Sequence, residues 1–169
     1  MSATPCSRCS EPQAAFHCGL CGVAICKACR EYVDPTIFSY FLKKPAELAK
    51  SDYCHGCYDA KVAPRRAEYE ALLEKAEDIY FLTKNYPGYV RVLRRHTKRV
   101  VVPECADRRE TILRMAFVAA ELGFNAIIEA DVESQKVRNG GFQSSVWKGS
   151  AMPALIDGDQ LERSSLRRI

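Results

Sequence analysis

The spacing of apolar side chains changes character along this chain, and each change predicts a different element. From Arg65 to Lys84, the residues Tyr69, Leu72, Leu73, Ala76, Ile79 and Tyr80 recur at intervals of three and four, which paints one stripe on a helix. Pro64 suits the first turn, and Asn85, Pro87 and Gly88 end the run. Tyr89 to Val102 is rich in Val and basic residues and predicts one long strand, or a hairpin turning near Arg95-His96-Thr97. Asp107 and Glu110 have capping-box spacing, and Ile112, Leu113, Met115, Ala116, Phe117, Ala119 and Ala120 carry a helix to a stop at Gly123. Phe124 to Glu133 alternates, with Ala126, Ile128, Ala130 and Val132 on one face and Ile127, Glu129, Asp131 and Glu133 on the other. Asn139-Gly140 signals a hairpin, and Phe142 to Met152 returns as its partner strand. The pattern predicts a helix packed on an antiparallel sheet, in the order β(β)αββ.

The first sixty residues contain Gly, Cys and few large apolar groups, so a core there can bury little. Tyr32, Ile37, Phe38, Tyr40, Phe41 and Leu42 form one apolar-aromatic cluster. It is expected to be a small core around a loop; if exposed, Phe38, Tyr40 and Phe41 are the candidate partner-facing residues. The expected organisation is a module over 1–60, a connecting amphipathic helix over 61–85, an α+β domain over 86–156 and a polar basic tail over 157–169. The fold class is α+β.

Composition narrows the chemistry. No apolar run approaches the roughly 18 residues of a membrane span, and Met1 to Cys6 has neither the basic nor the apolar region of a secretory signal. The cytoplasm is the expected compartment, where nine cysteines point to metal rather than disulfides. The formal charge of +4 invites a nucleic-acid or anionic-membrane reading. Eight metal-bound thiolates and two divalent ions would cancel it.

Eight of the cysteines form four Cys-x-x-Cys pairs: Cys6/Cys9, Cys18/Cys21, Cys26/Cys29 and Cys54/Cys57. Two intervening residues let a knuckle-shaped turn aim both sulfurs at one metal about 2.3 Å away. The intervals between pairs are eight, four and twenty-four residues. The short second interval disfavours tandem sites and favours a cross-brace. Cys6, Cys9, Cys26 and Cys29 would then hold one zinc ion, and Cys18, Cys21, Cys54 and Cys57 a second. His17 and His55 lie inside the motifs; each is expected to pack beside a knuckle rather than replace a cysteine. Arg8, Lys27 and Arg30 are expected to offset the charge of the four-thiolate sites. Such sites would supply most of the stability of this module.

The run Phe16-His17-Cys18-Gly19-Leu20-Cys21-Gly22-Val23-Ala24-Ile25-Cys26-Lys27-Ala28-Cys29 resembles the heart of a FYVE-type zinc finger, and Cys54-His55-Gly56-Cys57 falls where that family closes its second site. The family's lipid-reading members carry an upstream Trp-x-x-Asp, a basic patch before the second pair and an Arg-Val-Cys near the end. This chain has Ala14-Ala15-Phe16-His17-Cys18-Gly19 and Asp52-Tyr53-Cys54 at the latter two places, so phosphoinositide recognition is not expected. The PHD and RING families share the cross-brace, but a RING ligase usually places a His among its central ligands.

Farther along, Ala119-Ala120-Glu121-Leu122-Gly123-Phe124-Asn125-Ala126-Ile127-Ile128-Glu129-Ala130-Asp131, with a late strand ending in Lys148-Gly149-Ser150-Ala151-Met152, resembles the YbjQ-type domain. The resemblance implies a small cytosolic fold that assembles into homo-oligomers. This chain departs from it at Phe124, where a small residue is usual, and in its Arg-rich first strand.

No catalytic constellation is visible, and the chain reads as a non-enzyme. Glu129, Asp131 and Glu133 suggest a solvated strand face before a cation site, and Cys105 a buried small hydrophobe. Arg91, Arg94, Arg95, Lys98 and Arg99 are the candidate anion-binding run, although a charged, protected strand edge is the expectation. The combined expectation is a two-zinc adaptor that recognises a protein partner. The alternatives are a ubiquitin-ligase-type enzyme and a nucleic-acid or anionic-lipid binder using the basic strand.

Overall fold

A computed structural model describes residues 4–12 and 14–158. Most of the expected basic tail lies outside the described residues. The chain divides into two compact units, one ending at Ala71 and one beginning at Leu72. Among the described residues no helix is long and apolar enough to cross a membrane.

The first unit is built from two short ribbons. Strand β1 (Phe16–His17) pairs antiparallel with β2 (Ala24–Ile25), and β3 (Arg30–Tyr32) with β4 (Asp52–Cys54). Between β3 and β4 the chain makes two 3₁₀ turns, Pro35–Phe38 and Ala46–Leu48. Asp34 caps the first of these by accepting from the Thr36 amide at 2.8 Å. After β4, α1 (His55–Cys57) passes through a π-type turn, Tyr58–Val62, into α2 (Ala63–Glu77).

This unit holds more core than its composition suggests. Ile25, Phe38, Leu48, Tyr53 and Val62 are fully buried, and Val33 and Tyr69 nearly so. The Phe38 ring meets Tyr69 edge-on with centroids 5.2 Å apart. Tyr40 and Phe41 stand half-buried against the same ring at 6.4 and 5.1 Å.

The expected helix over Arg65–Lys84 stops earlier. The Asp78 and Ile79 amides close the last turn on the Lys75 and Ala76 carbonyls, and Tyr80–Thr83 is strand β5. The aromatic and β-branched run there pairs with a neighbouring strand instead of extending the helical stripe.

The second unit is a five-stranded sheet crossed by one helix. Strands β8 (Ala126–Asn139) and β9 (Phe142–Ile156) form a long antiparallel hairpin at its centre. Its two-residue turn is Gly140-Gly141, with Asn139 opposite Phe142, one position beyond the predicted one. The edge strand β5 runs parallel to β8, so the sheet is mixed rather than wholly antiparallel. Strands β6 (Val92–Arg95) and β7 (Val100–Cys105) lie end to end along the other edge of β9, as one interrupted strand rather than a hairpin.

Helix α3 (Arg108–Glu121) starts as its capping residues dictate. The Glu110 amide donates to Asp107 Oδ1 at 2.7 Å, and the Glu110 carboxylate accepts from the Ala106 amide. It ends at Gly123 with φ +77°, where the Phe124 amide reaches the Ala119 carbonyl. The helix packs on the face of the sheet carrying Val100, Val102, Ile127, Gly149 and Ala151. A side chain on Gly149 would meet Thr111 and Met115 within 3 Å, so glycine permits this close approach. Leu82, Ala126, Ile128, Ala154 and Ile156 form a second core on the opposite face, with Tyr86, Val90 and Val92 packed over it.

The simple alternation expected over 126–133 breaks at a bulge between Ile128 and Asp131, where Glu129 has φ +50°. Ile127, expected on the solvated face, is fully buried, and Ala130 is buried as well. Buried cover on both sides explains why alternation fails here.

Candidate metal centres

The knuckles gather eight cysteine sulfurs into two groups. Cys6, Cys9, Cys26 and Cys29 lie within 4.8 Å of one another, and so do Cys18, Cys21, Cys54 and Cys57. The first and third pairs make one group, the second and fourth the other, so the two sets interleave along the chain. Among the described residues no other cluster of His, Cys, Asp or Glu gathers this way.

Local hydrogen bonds form each knuckle. The Ser10 amide turns back to the Cys6 carbonyl and the Gly22 amide to the Cys18 carbonyl, both at 2.9 Å. Four residues after the first thiol of each, the backbone enters the left-handed region, at Ser10 (φ 61°) and Gly22 (φ 73°). The Gly19 amide donates to Asp52 at 2.8 Å and ties the Cys18 knuckle to β4, which delivers Cys54. The Ser7 amide donates to Ala24, next to β2's buried Ile25 and to Cys26.

The sulfur spacing fits a tetrahedral metal. Cys9 and Cys26 sulfurs are 3.7 Å apart, as are those of Cys21 and Cys54. A tetrahedron with metal–sulfur bonds of about 2.3 Å has edges of about 3.8 Å, whereas a disulfide needs about 2.05 Å. None of the nine cysteines is joined in a disulfide. Four sulfur donors in a closed shell suit a structural ion such as zinc and leave no position for a reacting water.

The electrostatics tell the same story from the ligand side. Backbone amides of Cys9, Arg8 and Cys26 point at the Cys6 sulfur and bring its thiol down to about 6. At Cys18, burial opposes ionisation, but the amides of Cys21, Cys54 and Leu20 together outweigh it, again giving about 6. The last thiols resist. Neighbouring Cys9 and Cys26 push Cys29 up to about 12, and Cys21 and Cys54 do the same to Cys57. A divalent cation at the centre would remove the reason for that resistance and displace the remaining protons.

Neither histidine joins a group. His17 is exposed on β1 opposite Ala24. His55 lies between Glu31 and Asp59, with a ring nitrogen 3.1 Å from each carboxylate. Arg30, expected to offset the thiolates, is instead 2.8 Å from Asp52 and stacked 4.1 Å over the Phe16 ring. The Arg8 amide points at the Cys6 sulfur.

The other predicted residues are dispersed. Phe38 is a core residue and unavailable to a partner, while Tyr32, Ile37 and Leu42 are the exposed apolar members of that segment. Arg95 and Arg99 both hold the Glu129 carboxylate, at 2.7 and 3.2 Å, and Arg99 also donates to the Glu129 carbonyl. Arg94 lies over the Phe124 ring, on the other face of the sheet. The basic run is thus split, with two of its arginines spent on one strained bulge. Asp131 pairs with Lys84 at 2.7 Å and Glu133 with Lys148 at 3.4 Å, so the three carboxylates do not converge on a cation. Cys105 is buried opposite Trp147. Asn125 belongs to the YbjQ-resembling run but was given no role from sequence; its side-chain amide exchanges two hydrogen bonds with the Ile156 backbone and fastens the end of β9.

No protein-family model matches the chain, and no curated protein or solved structure matches it either.

Proposed function

We propose that this chain is a non-catalytic, cytoplasmic adaptor whose first unit, a two-zinc cross-brace of the FYVE/PHD kind, recognises a protein partner. The interleaving of the two cysteine tetrads carries this reading. Closed four-sulfur shells build a rigid surface rather than a reaction centre. In the same unit, Tyr32, Ile37 and Leu42 expose apolar surface. The YbjQ-like second unit would multimerise and raise the avidity of that surface.

Zinc-loaded protein and a Leu42→Asp variant of equal zinc content, each used to capture partners from the native host, test the reading. A protein retained by the first and lost by the second is expected. Discharge of ubiquitin from a conjugating enzyme by the loaded chain would replace the adaptor with a ligase.

A further inference from the structure

The β8–β9 hairpin outgrows its sheet. Strand β5 pairs with β8 only as far as Ala130, and β7 reaches β9 only as far as Trp147. The ladder continues alone from Gln135↔Val146 to Asn139↔Phe142, five residue pairs or about 17 Å. Along this arm the described side chains are exposed, apart from half-buried Val146.

The two faces of the arm differ. Antiparallel partners share a face, so Ser134 and Trp147, Lys136 and Ser145, and Arg138 and Gln143 lie on the side where α3 packs. Gln135, Val137, Ser144 and Val146 occupy the other. No carboxylate occurs between Ser134 and Lys148. On the sheet below, Lys84, Arg95, Arg99 and Lys148 are each paired with an acid. Lys136 and Arg138 have no carboxylate partner among the described residues, and the chain's single tryptophan stands on their face.

We propose that this arm is a nucleic-acid-binding ribbon that enters the major groove of duplex DNA, with Lys136 and Arg138 on the phosphates. The groove is about 12 Å wide and about 8.5 Å deep and admits a two-stranded ribbon. Gly140 and Gly141 add no side chains at the turn, and Gln143, Ser145 and Ser134 offer neutral hydrogen-bonding groups beside the two cations. Phosphates would supply the negative charge that the described residues leave missing beside Lys136 and Arg138.

Fluorescence anisotropy of a labelled 20-bp duplex against the full zinc-loaded chain tests this. Two phosphate contacts give a log–log salt slope of about −1.8, so affinity falls about twelvefold between 50 and 200 mM salt. Lys136→Gln should reduce the slope by about 0.9 and the loss to about 3.5-fold. Lys136→Gln with Arg138→Gln should abolish binding, while Gln135→Ala on the opposite face should leave it unchanged. Trp147 emission and zinc content confirm that each variant keeps its fold. Equal binding by the double variant, equal weakening by Gln135→Ala, or preference for single-stranded RNA or an acidic peptide over the duplex would each overturn the assignment.

Discussion

Replacing Cys54 by Ser removes one sulfur from the tetrad that closes the longest loop of the first unit. Cys54 ends β4, and its sulfur faces Cys21 across 3.7 Å. A structural zinc site contributes on the order of 10–16 kcal/mol in small folds, against a total stability of about 5–15 kcal/mol for a typical domain. Three remaining sulfurs hold the ion more weakly, so a chelator that spares the native chain should empty this site in the variant. The buried Phe38, Leu48 and Tyr53 all lie inside the loop between Cys29 and Cys54 and would lose their closure. Hydrogen exchange read by mass spectrometry should then show lost protection at Gly19 and Val33, whose amides bond to Asp52 and Ser51. The β8 and β9 amides, and the emission of Trp147, should stay as in the native chain. Persistent protection at Gly19 and Val33, with the site shown empty by elemental analysis, would refute the idea that metal holds this unit together.

Gly149→Ala should cost about 1–3 kcal/mol in urea unfolding, because its new carbon would lie 2.7 Å from Thr111 Cγ2 and 2.9 Å from Met115 Cε. Ser10→Gly should raise the thermal midpoint of the loaded chain by the equivalent of about 0.5–1 kcal/mol, since Ser10 holds φ at 61°. The hydrogen bond and charge of Lys84 hold the Asp131 carboxyl below its ordinary value, and Asp131 raises Lys84 in return. The stability this pair contributes is present above the unfolded carboxyl's value of about 3.9 and is lost as pH falls through Asp131's lowered one. At the alkaline end it is present below about 10.4 and is lost as pH rises through Lys84's raised value. A carbon-detected NMR titration should place Asp131 low, and Lys84→Met should return it upward.

The grouping of the sulfurs was readable from spacing because a knuckle is local: two thiols, one turn, and an interval to the next pair short enough to disfavour a tandem arrangement. Helix α3 was equally plain, since Asp107, Glu110 and Gly123 act within a few residues of themselves. What escaped depends on partners far along the chain. Tyr80 continues the helical stripe of Tyr69, Ala76 and Ile79, and only pairing with Ala126 reveals it as strand. Ile127 looked solvated because alternation assumes one wet face, whereas this strand is covered on both sides at that point. The Arg95 and Arg99 pairing with Glu129 likewise required a bulge that no short pattern announces.

The interleaving has a consequence for biosynthesis. As the polypeptide emerges from the ribosome, Cys18, Cys21, Cys26 and Cys29 are all available well before Cys54 appears. A nascent chain can therefore trap an ion in a premature quartet that must exchange ligands before the mature weave forms. How quickly thiols swap within that intermediate, rather than final affinity, would set the yield of correctly threaded protein.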